Sequence, residues 1–310
     1  MRVATIDIGT NAVLLLVADG QGGALQPVLE RAAITRLGEG VDSTRRLLDA
    51  ACHRTLECLR RYAADLREQG APRLDVVGTS ALRDAHGGRE FIERATQILG
   101  VAPRVIDGQE EARLTFLGAL SGLPQTGKLT VFDVGGGSTE VVVGARTGTS
   151  SVISRAVSLD IGSVRLFERH LASDPPLPSE LQRVEADIAR ALDQVPTPDG
   201  DATLVGVAGT ITQLMALALE LDPYDAARVH GATLRKDTVV GLAAKLASLS
   251  VAERRALPGM EPGRADVLVV GSAIARAVLQ WSGAAELIVS DRGVRWGLAE
   301  ELARKSGAFH

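Results

Sequence analysis

Residues 129–143 read Leu-Thr-Val-Phe-Asp-Val-Gly-Gly-Gly-Ser-Thr-Glu-Val-Val-Val. An apolar run from Leu129 to Phe132 carries Asp133 to a turn of three glycines, and a second β-branched run, Val141 to Val143, leads away. Two β-rich segments around a glycine turn predict a hairpin. A plain connector does not need three successive glycines. Without Cβ atoms, Gly135, Gly136 and Gly137 let backbone N–H groups approach an anion closely. Ser138 adds a hydroxyl. Asp133 and Glu140 place hard oxygens at the two ends of the turn, the ligand type Mg²⁺ prefers when it bridges to phosphate. Taken alone, the stretch also fits an ordinary hairpin with a flexible tip.

The chain repeats the pattern. Residues 3–17 read Val-Ala-Thr-Ile-Asp-Ile-Gly-Thr-Asn-Ala-Val-Leu-Leu-Leu-Val, and Asp7-Ile-Gly-Thr-Asn11 lies 126 positions before Asp133-Val-Gly-Gly-Gly137. A looser match pairs residues 74–80 with 204–210, where Gly78 and Gly206 lie 128 apart. Two strand–turn units at nearly one offset predict a duplicated domain. Between them, strands alternate with amphipathic helices, notably 46–69 and 179–194, which predicts α/β sheets covered by helices. Short strands are expected at 101–106 and 152–158, and further helices at 89–98, 211–220 and 265–281. The polar Pro/Gly stretch 121–128 marks the boundary. The expected domains are 1–124 and 125–310, with the last helix, about 297–310, a candidate to pack back on the first.

Composition narrows the function. The 310 residues are 45% hydrophobic, 23% charged and only 3% aromatic, with a formal charge of −4. That balance is globular, and it argues against nucleic acid as the main partner. Cys52 and Cys58 read as free thiols in a reducing compartment. The chain enters a strand at Val3 with no charged-then-apolar leader, and no run of about 18 apolar residues occurs. The expectation is a cytoplasmic protein without a membrane span. The five histidines show no metal-ligand spacing. His53, His86, His170 and His310 read as surface residues, and His230 beside Gly231 as structural.

Two Asp-x-Gly turns facing each other across an interdomain cleft would hold a phosphate between two sets of N–H groups. Phosphoanhydride hydrolysis needs a cradle, a metal, a positive clamp and a base that positions water. Gly9, Thr10 and Asn11, with Gly135 to Ser138, supply the cradle. Gly209-Thr210, opening a helix after the strand 204–207, offers further free N–H groups, or a plain cap. Asp133 and Glu140, with Asp7, can hold Mg²⁺ directly or through water. Arg83, just past a strand end, can clamp a phosphate oxygen. Glu110 or Glu111, in the first turn of a helix capped by Asp107, can accept the water's proton. A kinase of the same architecture would use a carboxylate base on a hydroxyl. A chaperone-like ATPase would need a further large domain.

The motifs Asp7-Ile-Gly-Thr-Asn11, Gly78-Thr-Ser-Ala-Leu-Arg83, Gly108-Gln-Glu-Glu-Ala-Arg113, Asp133-Val-Gly-Gly-Gly-Ser-Thr-Glu140 and Gly206-Val-Ala-Gly-Thr210 stand in the order and spacing of the exopolyphosphatase/guanosine pentaphosphatase family. The chain resembles its short, two-domain form from Val3 to about Leu302. The resemblance implies two actin-like (ribonuclease H-like) α/β domains with a cleft between them. It implies that Glu111 is the base and that Asp133 and Glu140 serve Mg²⁺ and phosphate, with Mn²⁺ as a substitute and a monovalent cation such as K⁺ as an accompaniment. It further implies a homodimer. The expected activity is removal of terminal phosphate from linear polyphosphate. The alternatives are 5′-phosphohydrolysis of guanosine pentaphosphate (pppGpp), phosphotransfer from polyphosphate to ADP, and a phosphate-chain sensor with little turnover. The scarcity of aromatics favours polyphosphate over a guanosine. Arg31, Arg36 and Arg292 suit either anion. The long form's C-terminal helical domain is absent from this sequence, which argues against high processivity on long chains.

Overall fold

In the computed structural model, residues 1–71 and 73–305 are described. The chain divides into two compact units. The first is Met1–Gly122 with the terminal helix Val294–Lys305, and the second is Leu123–Gly293. Each is built on one mixed sheet.

In the first unit the strands are β1 (Arg2–Ile8), β2 (Ala12–Gln21), β3 (Ala24–Ile34), β4 (Leu74–Gly78) and β5 (Arg104–Val105), in the spatial order β3-β2-β1-β4-β5. β1, β2 and β3 form an antiparallel meander, and β4 and β5 run parallel to β1. In the second unit β6 (Gly127–Val134), β7 (Thr139–Thr147), β8 (Ser150–Leu159), β9 (Thr203–Val207), β10 (Thr233–Arg235) and β11 (Glu286–Val289) lie in the order β8-β7-β6-β9-β11-β10. Again the first three are antiparallel, while β9 and then β11 run parallel to β6. Strand for strand, the five-strand core recurs with the same order and polarity. This is the duplication that the twin Asp-x-Gly hairpins predict, and β10 is an addition to the second copy.

The sequence explains the layers. β1 is buried from Val3 to Ile8, because helices cover both faces of the sheet. The helix Asp49–Gln69 packs Leu56, Cys58, Leu59 and Tyr62 against Ile6, Leu15 and Val17. On the other face, Trp296, Ala299 and Ala303 of the terminal helix meet Val3, Leu16 and Ala18. That helix crosses Gly108–Ala119 at Gly297, where a Cβ would stand 2.0 Å from the Leu114 carbonyl oxygen. Only glycine permits so close a crossing.

Several boundaries differ from expectation. The first long helix begins at Asp49, because Leu48 is extended. The strand expected over 101–106 shrinks to Arg104–Val105, since Pro103 has no N–H to offer a ladder. The helix expected from 211 starts at Ala208, and the one expected from 265 starts at Leu268. The terminal helix starts at Val294, and its expected extension to residue 310, with His310, lies outside the described residues. His170 is not a surface residue: its ring is half-buried on Asp187 at 2.8 Å. Cys52 and Cys58 are free thiols, half-buried and buried.

Candidate active site

In the first unit the turn after β1 closes with Gly9 N–H donating to the Ala12 carbonyl at 3.0 Å. Its other carbonyls face the segment that follows β3. Thr10 O accepts from Gly38 N–H at 2.9 Å, and Asn11 O accepts from the N–H groups of Thr35 and Arg36 at 3.1 and 3.0 Å. Gly38 is pressed onto Thr10, for a Cβ there would stand 2.3 Å from the Thr10 γ-methyl. With its carbonyls engaged from behind, the turn keeps its side chains as orphans. Thr10 and Asn11 are buried, yet Thr10 Oγ1 and both polar atoms of the Asn11 amide have no hydrogen-bond partner among the described residues. Buried polar groups are normally satisfied, so these unsatisfied donors and acceptors are candidates for binding a ligand. Asp7, at the end of β1, is also buried.

The neighbouring strand supplies the charge. β4 lies beside β1, and Thr79 N–H donates to Ile8 O at 3.2 Å. The short helix Ser80–Asp84 then presents Arg83, whose Nη1 donates to Glu111 Oε2 at 2.9 Å and to Ile106 O at 3.1 Å. Glu111 stands in the first turn of the helix Gly108–Ala119, whose cap Asp107 accepts from Glu110 N–H at 2.8 Å. The Glu-Glu pair splits cleanly. Glu111 is 7% exposed and turned to Arg83, whereas Glu110 points out to Arg104 at 3.0 Å. Asp7, Thr10, Asn11, Arg83 and Glu111 therefore all come from the C-terminal ends of β1, β4 and β5 or the connections that follow, the edge where open α/β sheets bind ligands.

In the second unit the hairpin repeats the closure, with Gly135 N–H donating to Ser138 O at 3.0 Å. All three glycine carbonyls are held by the start of the helix Ser163–His170. Gly135 O accepts from Ser163 N–H (2.9 Å), Gly136 O from the N–H groups of Val164 and Arg165 (2.9 and 3.0 Å), and Gly137 O from Arg165 Nε (2.6 Å). Gly162 lies against the turn so closely that a Cβ would fall 2.4 Å from Gly136 O. The N–H groups of Gly136, Gly137 and Ser138 take no hydrogen bond among the described residues, leaving a cluster of amides for an anion. Asp133 and Glu140 are directly opposed residues of β6 and β7. Glu140 is 1% exposed and accepts from Ser158 Oγ at 2.7 Å.

Directly opposed residues of neighbouring strands bring their side chains close together, so Asp133 and Glu140 set two hard-oxygen groups side by side. Asp133 and Glu140 thus fit a hard divalent ion, with the remaining ligands left to water and substrate oxygens. Asp7 belongs to the first unit, and its cross-strand partner is Leu14, so that turn has no equivalent pair. Among the described residues no cluster of three or more metal-binding side chains occurs.

After β9, Ala208 adopts φ +69°, an unfavourable left-handed conformation, as the first residue of the helix Ala208–Ala218. Gly209 and Thr210 occupy its first turn. The Thr210 hydroxyl is already committed, donating to Val134 O at 3.0 Å. What this turn offers an anion is its backbone N–H groups. Sequence reading overlooked Arg264. Its half-buried guanidinium lies flush on Gly209, where a Cβ would stand 2.3 Å from Cζ and both terminal nitrogens. Burial pushes its pKa down, against the pull of Glu261 and Tyr224. The available signal was a glycine inside a helix's first turn, which implies close approach by another group. His230 is not isolated either: its Nδ1 lies 3.0 Å from Asp291 Oδ1. The segment after β11 returns to the hairpin, where a Cβ on Gly293 would lie 3.7 Å from Asp133 Oδ2. Of the other arginines singled out, Arg31 is exposed on Asp65 at 3.4 Å, and Arg292 lies 3.9 Å from Asp291. Arg36 backs the first turn through its N–H.

Comparison with known proteins agrees with this arrangement. A model described as the Ppx/GppA phosphatase family matches residues 16–306. Exopolyphosphatase 2 of Mycobacterium tuberculosis is 39% identical, over 97% of this chain and 98% of that protein. The crystal structure of the Aquifex aeolicus member of the Ppx/GppA family superposes with a TM-score of 0.83 at 34% identity, covering 99% of this chain and 98% of that one. An exopolyphosphatase structure from Cytophaga hutchinsonii gives 0.88 at 25% identity, with the same coverage.

Proposed function

Since the chain belongs to the Ppx/GppA phosphatase family, we propose that it hydrolyses the terminal phosphoanhydride of linear polyphosphate and releases orthophosphate. One observation carries the reading: a buried carboxylate, Glu111, held by an arginine at 2.9 Å on the ligand edge of a sheet. In this mechanism Glu111 orients a water and takes its proton as oxygen attacks the terminal phosphorus. Arg83 fixes the carboxylate and brings its positive charge to the phosphate oxygens. In the second unit the N–H groups of Gly136, Gly137 and Ser138, with the first-turn N–H groups at Gly209 and Thr210, offer donors for phosphate charge; in the first unit the side chains of Thr10 and Asn11 offer their own. Arg264 supplies a second guanidinium. Mg²⁺ on Asp133 and Glu140 would neutralise phosphate charge, with Mn²⁺ as a substitute and K⁺ as an accompanying monovalent ion.

Few aromatic side chains are available to stack a base, which supports polyphosphate over guanosine pentaphosphate. We further propose a cytoplasmic homodimer, as the family resemblance implies. No described helix is long and apolar enough to cross a membrane. The test is a substrate panel. Purified protein with Mg²⁺ is given polyphosphates of several lengths, pppGpp, and polyphosphate with ADP, and phosphate and nucleotides are followed. Orthophosphate from polyphosphate is expected to dominate. Preferential cleavage of pppGpp, or formation of ATP, would replace the substrate assignment.

A further inference from the structure

Thr35 directly follows the last residue of β3. The β2–β3 ladder pairs Ala12 with Ile34, and one further step sets Asn11 opposite Thr35, whose N–H donates to Asn11 O at 3.1 Å. Opposed residues of antiparallel strands carry their side chains close together on one face. The Thr35 backbone is engaged on both sides, since its carbonyl accepts from Arg54 Nε at 3.0 Å. Its side chain is not. Thr35 is 3% exposed, and its Oγ1 has no hydrogen-bond partner among the described residues. Asn11 Nδ2 and Oδ1 have none either, so two neighbouring polar side chains are buried without bonding each other. Thr5 and Thr55, also buried in this unit, differ: Thr5 Oγ1 donates to Arg295 O and Thr55 Oγ1 to Ala51 O, both at 2.8 Å. A buried hydroxyl left unbonded weakens a fold, whereas a methyl in its place would not. A ligand atom that bonds both side chains would offset that cost.

Resting on the reading of the turn 9–11 as part of the phosphate cradle, we propose that Thr35 is a further substrate-binding residue of the first unit. Its O–H donates to a phosphate oxygen of the polyphosphate chain that the Asn11 amide N–H also binds. The hydroxyl lowers the stability of the free protein and contributes only when phosphate is bound.

The test compares full-length wild type, Thr35→Val, Thr35→Ser and, as a control, Thr5→Val. Each is melted with and without orthophosphate, and steady-state kinetics are measured on polyphosphate. Thr35→Val is expected to melt at or above wild type without phosphate, to lose most of the phosphate-induced rise in melting temperature, and to raise KM about tenfold. Thr35→Ser keeps the hydroxyl and should keep KM near wild type. Thr5→Val removes a bonded hydroxyl and should melt below wild type with KM unchanged. A folded Thr35→Val protein with wild-type KM and a wild-type response to phosphate would overturn the proposal. So would one that fails to fold or melts well below wild type, since the hydroxyl would then be a structural bond. Wild-type protein inert on polyphosphate and unmoved by orthophosphate would instead strike the reading beneath it.

Discussion

Arg83 and Glu111 hold each other: Nη1 meets Oε2 at 2.9 Å, with the carboxylate more deeply buried than the guanidinium. The pair serves two ends at once, since an unpartnered buried carboxylate would take up a proton and cease to be a base. Arg83→Met is therefore expected to lower kcat/KM by at least about a hundredfold and to destabilise the protein by about 1–3 kcal/mol. Arg83→Lys keeps charge but loses the planar fork and should fall between. Kinetics and denaturant unfolding check both; wild-type values for Arg83→Met would contradict the pairing's role.

Gly162 and Gly38 each back a turn, but against different atoms. A Cβ at Gly162 meets the backbone of Gly136 and Gly137 within 2.6 Å, whereas at Gly38 it meets the Thr10 side chain. Backbone cannot step aside. Gly162→Ala should cost about 1–3 kcal/mol and most of the activity, and Gly38→Ala less of both. Melting curves and phosphate release from the two variants make the comparison; the reverse order would contradict the stated packing.

Much of this was legible in the sequence. The hairpins, their 126-residue offset and the strand–helix alternation are local patterns, and the sheets confirm them strand by strand. The Glu110/Glu111 register is also clear in hindsight, because Asp107 caps the helix and fixes which acid turns inward. What backs the hairpins was not legible. Gly38 and Gly162 act on turns about 28 residues earlier, through contacts that carry no local signal, although their own spacing of 124 nearly repeats the hairpin offset. β10, three residues long, is below the length at which alternation can be read. Arg264 meets Gly209 from 55 positions away, so only the fold reveals it.

The opposed carboxylates predict metal dependence. Activity should vanish in EDTA and return with Mg²⁺. Asp133→Asn should raise the Mg²⁺ concentration for half-maximal rate about tenfold or more, while substrate KM at saturating Mg²⁺ moves less. Full activity in EDTA would remove the metal from the account.

Glu180 predicts a pH effect on stability unrelated to catalysis. The N–H groups of Leu177 and then Ala172 bond its carboxylate and hold its pKa below the ordinary 4.5. The sign follows from linkage: this stabilisation is complete above the ordinary carboxylate value and is lost as pH falls through the lower folded-state value. Glu180→Gln should therefore melt below wild type at neutral pH, with the gap closing under acid conditions. Melting temperatures across that range check it; a constant gap would contradict it.

The most direct measurement is phosphate release from polyphosphate by wild type, Glu111→Gln and Glu110→Gln, all shown to be folded. Glu111→Gln is expected to lose about 10²–10⁴-fold in kcat, while Glu110→Gln, whose parent side chain faces Arg104, stays near wild type. Wild-type turnover by Glu111→Gln, or inactivity of Glu110→Gln in its place, would contradict the assignment.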